Sequence, residues 1–108
     1  MLYSVGAYEQ TLLEYSPPGN GAEAWKRVGP ADFKVGEVAG SRDALWITDA
    51  KDSFPYKYDE KSQHFHQKGY RKAKLMAAGL NGYAVIIGYG DEKLYGWSEE
   101  EKRWNSRD

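Results

Sequence analysis

Short apolar runs, each broken off by a polar or glycine-containing step, set the rhythm of the chain. Leu2-Tyr3-Ser4-Val5, Ala44-Leu45-Trp46-Ile47-Thr48 and Tyr83-Ala84-Val85-Ile86-Ile87 are rich in aromatic and β-branched residues and are closed by glycine or aspartate. They read as buried strands. Each is followed by a polar turn and a half-apolar segment: Leu12-Leu13-Glu14-Tyr15, Phe54-Pro55-Tyr56-Lys57-Tyr58 and Leu94-Tyr95-Gly96-Trp97. Alternation puts Phe54, Tyr56 and Tyr58 on one face, and Pro55 suits an edge or a strand start. A second turn leads to Trp25, Phe65 or Trp104, each among charged or polar neighbours, the pattern of a strand near a sheet edge. Phe33 to Ala39 and Ala73 to Ala78 supply one more strand each. The second of these is compatible with helix by propensity. Its counterpart Phe33-Lys34-Val35-Gly36-Glu37-Val38 alternates and contains a glycine, which favours strand for both.

These runs repeat. Tyr3, Trp46 and Val85 lie 43 and 39 residues apart, as do Tyr15, Tyr58 and Trp97, with a step of 12 between the two positions in every copy. Trp25, Phe65 and Trp104 follow at intervals of 40 and 39, so the first copy carries three extra residues around Pro17-Pro18-Gly19, where a turn belongs. Residues 38–47 align on 77–86 without a gap. A period of about 40 residues built from short strands predicts propeller blades or a related β-array. With the strands of a unit named A to D, the chain runs B-C-D, A-B-C-D, A-B-C-D, which is eleven strands in three units of roughly 1–29, 30–69 and 70–108. The predicted fold is therefore one all-β domain of three blade-like repeats, each of four short antiparallel strands, the first lacking its A strand. Propeller rings take about four to eight blades, so three do not close. The open edges predict completion of the ring by further copies, as a dimer or another cyclic homo-oligomer.

Composition narrows the function classes. There is no cysteine, hence no disulfide framework and no thiolate chemistry. No apolar run approaches the roughly 20 residues that span a bilayer, and no signal-peptide pattern is visible. A soluble mature chain is expected, with extracellular and cytoplasmic settings both open. The net charge is -1 with both signs interspersed, which argues against a nucleic-acid partner. The densest basic cluster, Lys68, Arg71, Lys72 and Lys74, reads as a solvated loop without an aromatic platform.

The first unit, with Leu2-Tyr3-Ser4-Val5, Leu13-Glu14-Tyr15-Ser16-Pro17-Pro18 and Trp25-Lys26-Arg27-Val28-Gly29, resembles a repeat of the tachylectin and tectonin lectins. Those carry an aromatic strand, a tyrosine-ending strand, a Pro-Pro turn and a tryptophan strand closed by glycine. The resemblance covers the repeat pattern of the whole chain and, residue by residue, about the first 29 positions. Later units lack the Pro-Pro turn, and Phe65 stands where the pattern has tryptophan. The resemblance implies a β-propeller lectin that binds glycans in shallow pockets between neighbouring blades. Sugars present flat C–H faces, which aromatic rings cover, and a rim of hydroxyls, which charged side chains bond. The candidate ligand-binding residues are Trp25 with Glu23 and Arg27 on one strand face, and Trp104 with Lys102, with Arg103 and Arg107 on the opposite face. Several weak sites on one assembly would add avidity. Trp46, Tyr58 and Trp97 are expected in the core.

Enzymatic constellations are scarce, and no catalytic residue, cofactor or metal is predicted. His64 and His66 share a strand face, but the chain has only these 2 histidines, and a catalytic metal usually wants three protein ligands. Gly88-Tyr89-Gly90 is not followed by a helix that would cradle phosphate. Glu99, Glu100 and Glu101 read as a run that solvates a turn. A second class of function stays open: a non-enzymatic interaction or scaffold module whose edge strands recruit a partner by strand addition.

Overall fold

The computed structural model describes residues 2–6, 10–15, 25–41 and 44–107. The Pro17-Pro18-Gly19 insertion and Glu23 lie outside them. The described chain is all-β: eleven strands in three antiparallel sheets, with one short 3-10 turn at Leu80–Gly82. The first sheet holds β1 (Leu2–Val5), β2 (Leu12–Tyr15) and β3 (Trp25–Val28). The second holds β4 (Val35–Gly40), β5 (Leu45–Asp49), β6 (Pro55–Asp59) and β7 (His64–Gln67) in that order. The third repeats this with β8 (Ala73–Ala78), β9 (Ala84–Gly88), β10 (Leu94–Ser98) and β11 (Arg103–Ser106). Ala73–Ala78 is a strand, as its alternating counterpart implied, and buried Pro55 opens β6, a strand start that suits proline.

Burial explains why β5 reads as a continuous apolar run. Its residues alternate between two faces, and both faces are covered. Leu45 and Ile47 join Leu12, Val35 and Phe65 in a core between the first and second sheets. Trp46 points the other way, into a core between the second and third sheets with Ile86, Tyr95, Trp97 and Trp104. Thr48 is buried as well, and its Oγ1 accepts the Glu37 amide at 2.9 Å. That bond occupies a donor at the bulge between Val35 and Val38. The pairing of β8 with β9 slips at the matching place, between Ala73 and Leu75.

The repeat persists down to single bonds. Five tight turns are closed by an amide donating to the carbonyl four residues back: Gln10 to Gly6, Ser53 to Asp49, Gln63 to Asp59, Glu92 to Gly88 and Lys102 to Ser98, at 2.8 to 3.2 Å. All five donors are non-glycine residues with positive φ, between 55° and 66°. Two of these turns then tie one sheet to the next. The Gln10 carbonyl accepts the Val35 amide at 2.7 Å, and the Ser53 carbonyl accepts the Ala73 amide at 2.9 Å.

Candidate functional site

The boundary between sheets is built from one motif used twice. Directly opposed residues on the last two strands of each sheet form an aromatic pair: Tyr15 with Trp25, Tyr58 with Phe65, and Trp97 with Trp104. The ring centroids are 5.2 Å apart in all three pairs. The ring on the last strand then lies against a glycine of the sheet before. Gly29, at φ 83°, faces Phe65, and Gly69, at φ 72°, faces Trp104. A Cβ at either glycine would come within 2.5 Å of the Phe65 ring or 2.9 Å of the Trp104 ring. Close approach and left-handed backbone both call for glycine here.

Above each such contact a cleft opens between the sheets. The larger, about 1060 Å³, lies between the second and third sheets and is lined in part by Gln67, Lys68, Gly69, Lys102 and Trp104. The smaller, about 650 Å³, lies between the first and second and is lined by the repeat-equivalent Arg27, Val28, Gly29, Gln63 and their neighbours. Two exposed rings border the larger cleft: Tyr70, at 85 % relative exposure, and Tyr89, at 55 %. Gln67, Asn105 and Ser106 add hydrogen-bonding groups to its lining.

The residues expected to bind ligand are divided by this geometry. Trp104 lines the larger cleft but is buried, and its indole N–H donates to the Lys68 carbonyl at 2.8 Å. It serves as floor rather than as an open stacking face. Arg103 lines the same cleft, with Nε donating to Glu101 at 2.8 Å and to Asn105 at 2.9 Å. Arg27 lines the smaller cleft. Trp25, 39 % exposed, borders neither, and Glu23 lies outside the described residues. Arg107 stands apart, its guanidinium 5.6 Å from the centre of the Tyr83 ring. Trp46 and Trp97 are core, as expected, and Tyr58 packs against the first core.

Two sequence readings are corrected. Arg71 and Lys72 of the basic cluster do not stand in a platform-free loop. The Arg71 guanidinium lies 4.0 Å from the centre of the Tyr95 ring, and the Lys72 ammonium 5.9 Å from that of Phe54, geometries of cation–π attraction. These rings come from other segments of the chain, which is why spacing within the basic run did not reveal them. Nor does Glu99 merely solvate a turn. It accepts the Trp97 indole N–H at 2.7 Å and the Lys102 ammonium at 2.6 Å, and these two bonds pull its carboxyl down to about 2. Asp91 is likewise held below the usual carboxylate range, first by the Tyr95 hydroxyl that it accepts and also by Arg71 at 3.5 Å.

His64 and His66 are exposed, and the His66 imidazole lies 3.5 Å from Asp59. Among the described residues no group of three His, Asp or Glu side chains is placed to hold a metal ion. Among the described residues no helix is long and apolar enough to cross a membrane. No protein-family model matches the chain, and no curated protein matches it.

Proposed function

We propose that the chain is a carbohydrate-binding module, a small lectin of blade-like repeats whose sugar sites are the clefts between sheets. One observation carries this reading: two exposed tyrosines, Tyr70 and Tyr89, line the same cleft as a set of hydrogen-bonding side chains. A solvent-exposed ring beside polar donors and acceptors is what a sugar needs, an apolar surface for its C–H face and partners for its hydroxyls. The recurrence of the cleft at the next boundary gives the multivalency on which weak sugar sites depend.

The assembly belongs to the same reading. Among the described residues no sheet packs over Trp25, which is exposed, whereas Phe65 and Trp104 at its positions are covered. A second copy stacked on that face would cover Trp25 and carry the array of sheets toward a closed propeller ring. Light scattering tests this part: a monodisperse monomer removes it.

The site itself is tested on a glycan array with the labelled chain, followed by titration of Tyr70→Ala and Tyr89→Ala. Binding restricted to one class of sugar, weakened about tenfold or more in variants that keep the wild-type circular dichroism, is the expected result. A blank array with folded protein overturns it and leaves the scaffold reading.

A further inference from the structure

The two clefts share their architecture but not their charge. Five cations line the larger one, Lys68, Arg71, Lys72, Lys102 and Arg103, and no carboxylate does. In the smaller, Lys26 and Arg27 are matched by Glu14 and Glu60. Among the described residues three carboxylates outside the lining of the larger cleft pair with its cations, and each is turned to a protein donor. Asp91 takes the Tyr95 hydroxyl, Glu99 the Trp97 indole, and Glu101 the Asn105 amide at 3.2 Å. Their ion pairs are with Arg71, with Lys68 and Lys102, and with Arg103. Among the described residues Lys72 forms no ion pair. Five cations against three carboxylates leave an excess of two positive charges at this cleft, in a chain whose net charge is -1.

Arg71 is also held in place before any ligand arrives. Its guanidinium is stacked on Tyr95 at 4.0 Å and tethered to Asp91 at 3.5 Å, while its side chain remains 45 % exposed. A guanidinium fixed by stacking loses little freedom when it takes a planar anion. Lys72, the next residue, adds a second cation to the same lining.

Resting on the carbohydrate reading above, we infer that the larger cleft selects acidic sugars. The ligand's carboxylate or sulfate goes to Arg71 and Lys72, and the ring of the sugar lies on Tyr70 or Tyr89. Charge-assisted bonds to a preorganised guanidinium supply the preference over a neutral sugar of the same shape.

The test uses the full chain and three oligosaccharides of equal length: chito-oligosaccharide, which is neutral, hyaluronan, which carries carboxylates, and chondroitin sulfate, which carries both anions. Calorimetric titration at low and high salt is expected to give binding of an acidic ligand about tenfold or more tighter than that of the neutral one, with the advantage shrinking in salt. The hyaluronan and chondroitin sulfate arms separate carboxylate from sulfate. Lys72→Gln, and Lys72→Gln combined with Arg71→Gln, should reduce the acidic preference stepwise, with thermal unfolding followed as a check on the fold. Lys74→Gln, whose ammonium pairs with Glu92 outside the cleft, should leave it unchanged. Equal or tighter binding of chito-oligosaccharide overturns the acidic preference while carbohydrate binding stands. Binding of none of the three on folded protein overturns both. Acidic binding that is untouched by the double variant, or matched by an oligodeoxynucleotide of similar charge, overturns the assignment to this cleft.

Discussion

The indole N–H of Trp104 donates to the backbone carbonyl of Lys68 at 2.8 Å, across the boundary between the second and third sheets. This bond fixes the last strand of one sheet to the chain that leaves the sheet before it. Trp104→Phe keeps much of the ring and removes the donor, and should cost about 1–2 kcal/mol, from the lost hydrogen bond and the smaller ring. Trp104→Ala also opens a cavity beside Trp46 and Trp97 and should cost about 3–5 kcal/mol. Trp25→Ala, at the equivalent but exposed position, should cost only about 1 kcal/mol, the worth of its pairing with Tyr15. Urea unfolding of the three variants measures the order, and an equal loss for Trp25 and Trp104 would contradict the burial assigned here.

Gly69 should tolerate no side chain. Gly69→Ala strains a backbone at φ 72° and drives its Cβ into the Trp104 ring, and Gly29→Ala does the same at φ 83° against Phe65. The two effects together should amount to about 2–4 kcal/mol per site. Gly90 separates them, because its φ of 94° is also left-handed but no atom lies within 4 Å of the added carbon. Gly90→Ala should cost about 1 kcal/mol, from the backbone alone. Thermal unfolding of the three variants checks the difference; a loss at Gly90 as large as at Gly69 would show that the ring contact contributes nothing.

The strands were legible because their signals are local. Period-2 alternation and the steps of 43 and 39 residues mark the strands and their recurrence, whereas the facing of Tyr58 with Phe65 and of Trp97 with Trp104 emerges only in the register of the pairs. The turns were less legible, since Gln10, Ser53, Gln63, Glu92 and Lys102 all adopt positive φ where glycine is the usual signal. The larger cleft was hidden because its parts come from separate segments: Arg71 meets Tyr95 and Lys72 meets Phe54 only once the second and third sheets pack. Trp25 and Trp104 look alike in sequence for a related reason. What separates them is whether another sheet lies in front, and that is a property of order along the chain rather than of neighbouring residues.

Glu99 should make the fold sensitive to acid. Its carboxyl, ordinarily near 4.5, is held at about 2 by the Lys102 ammonium and the Trp97 indole. The folded value is depressed, so this contribution to stability is present above pH 4.5 and is lost as pH falls toward 2. Glu99→Gln keeps an oxygen to accept the indole N–H but removes the titrating charge. The variant should be less stable than wild type at neutral pH, and the difference should close over that window. Urea midpoints measured across the window test this; a difference independent of pH would place the effect elsewhere.

Tyr3 should act at the alkaline end. Burial, the charge of Glu14 directly across the strand pair and a hydrogen bond to that carboxylate push its hydroxyl up to about 12. A raised folded value favours the neutral phenol, so the associated stability is complete below pH 10 and disappears as pH rises toward 12. The ring also packs against Gly40, where a Cβ would come within 2.9 Å of it, so ionisation would put a charge at the boundary of the first two sheets. In a tyrosinate absorbance titration of the native protein, Tyr3 should be among the last of the 9 tyrosines to ionise. Tyr56 and Tyr58 are raised by burial as well, so Tyr3→Phe should shorten the late phase without abolishing it. The same variant should weaken the loss of stability above pH 10. An unchanged late phase in Tyr3→Phe would mean that the phenol is solvated and that Glu14 does not face it.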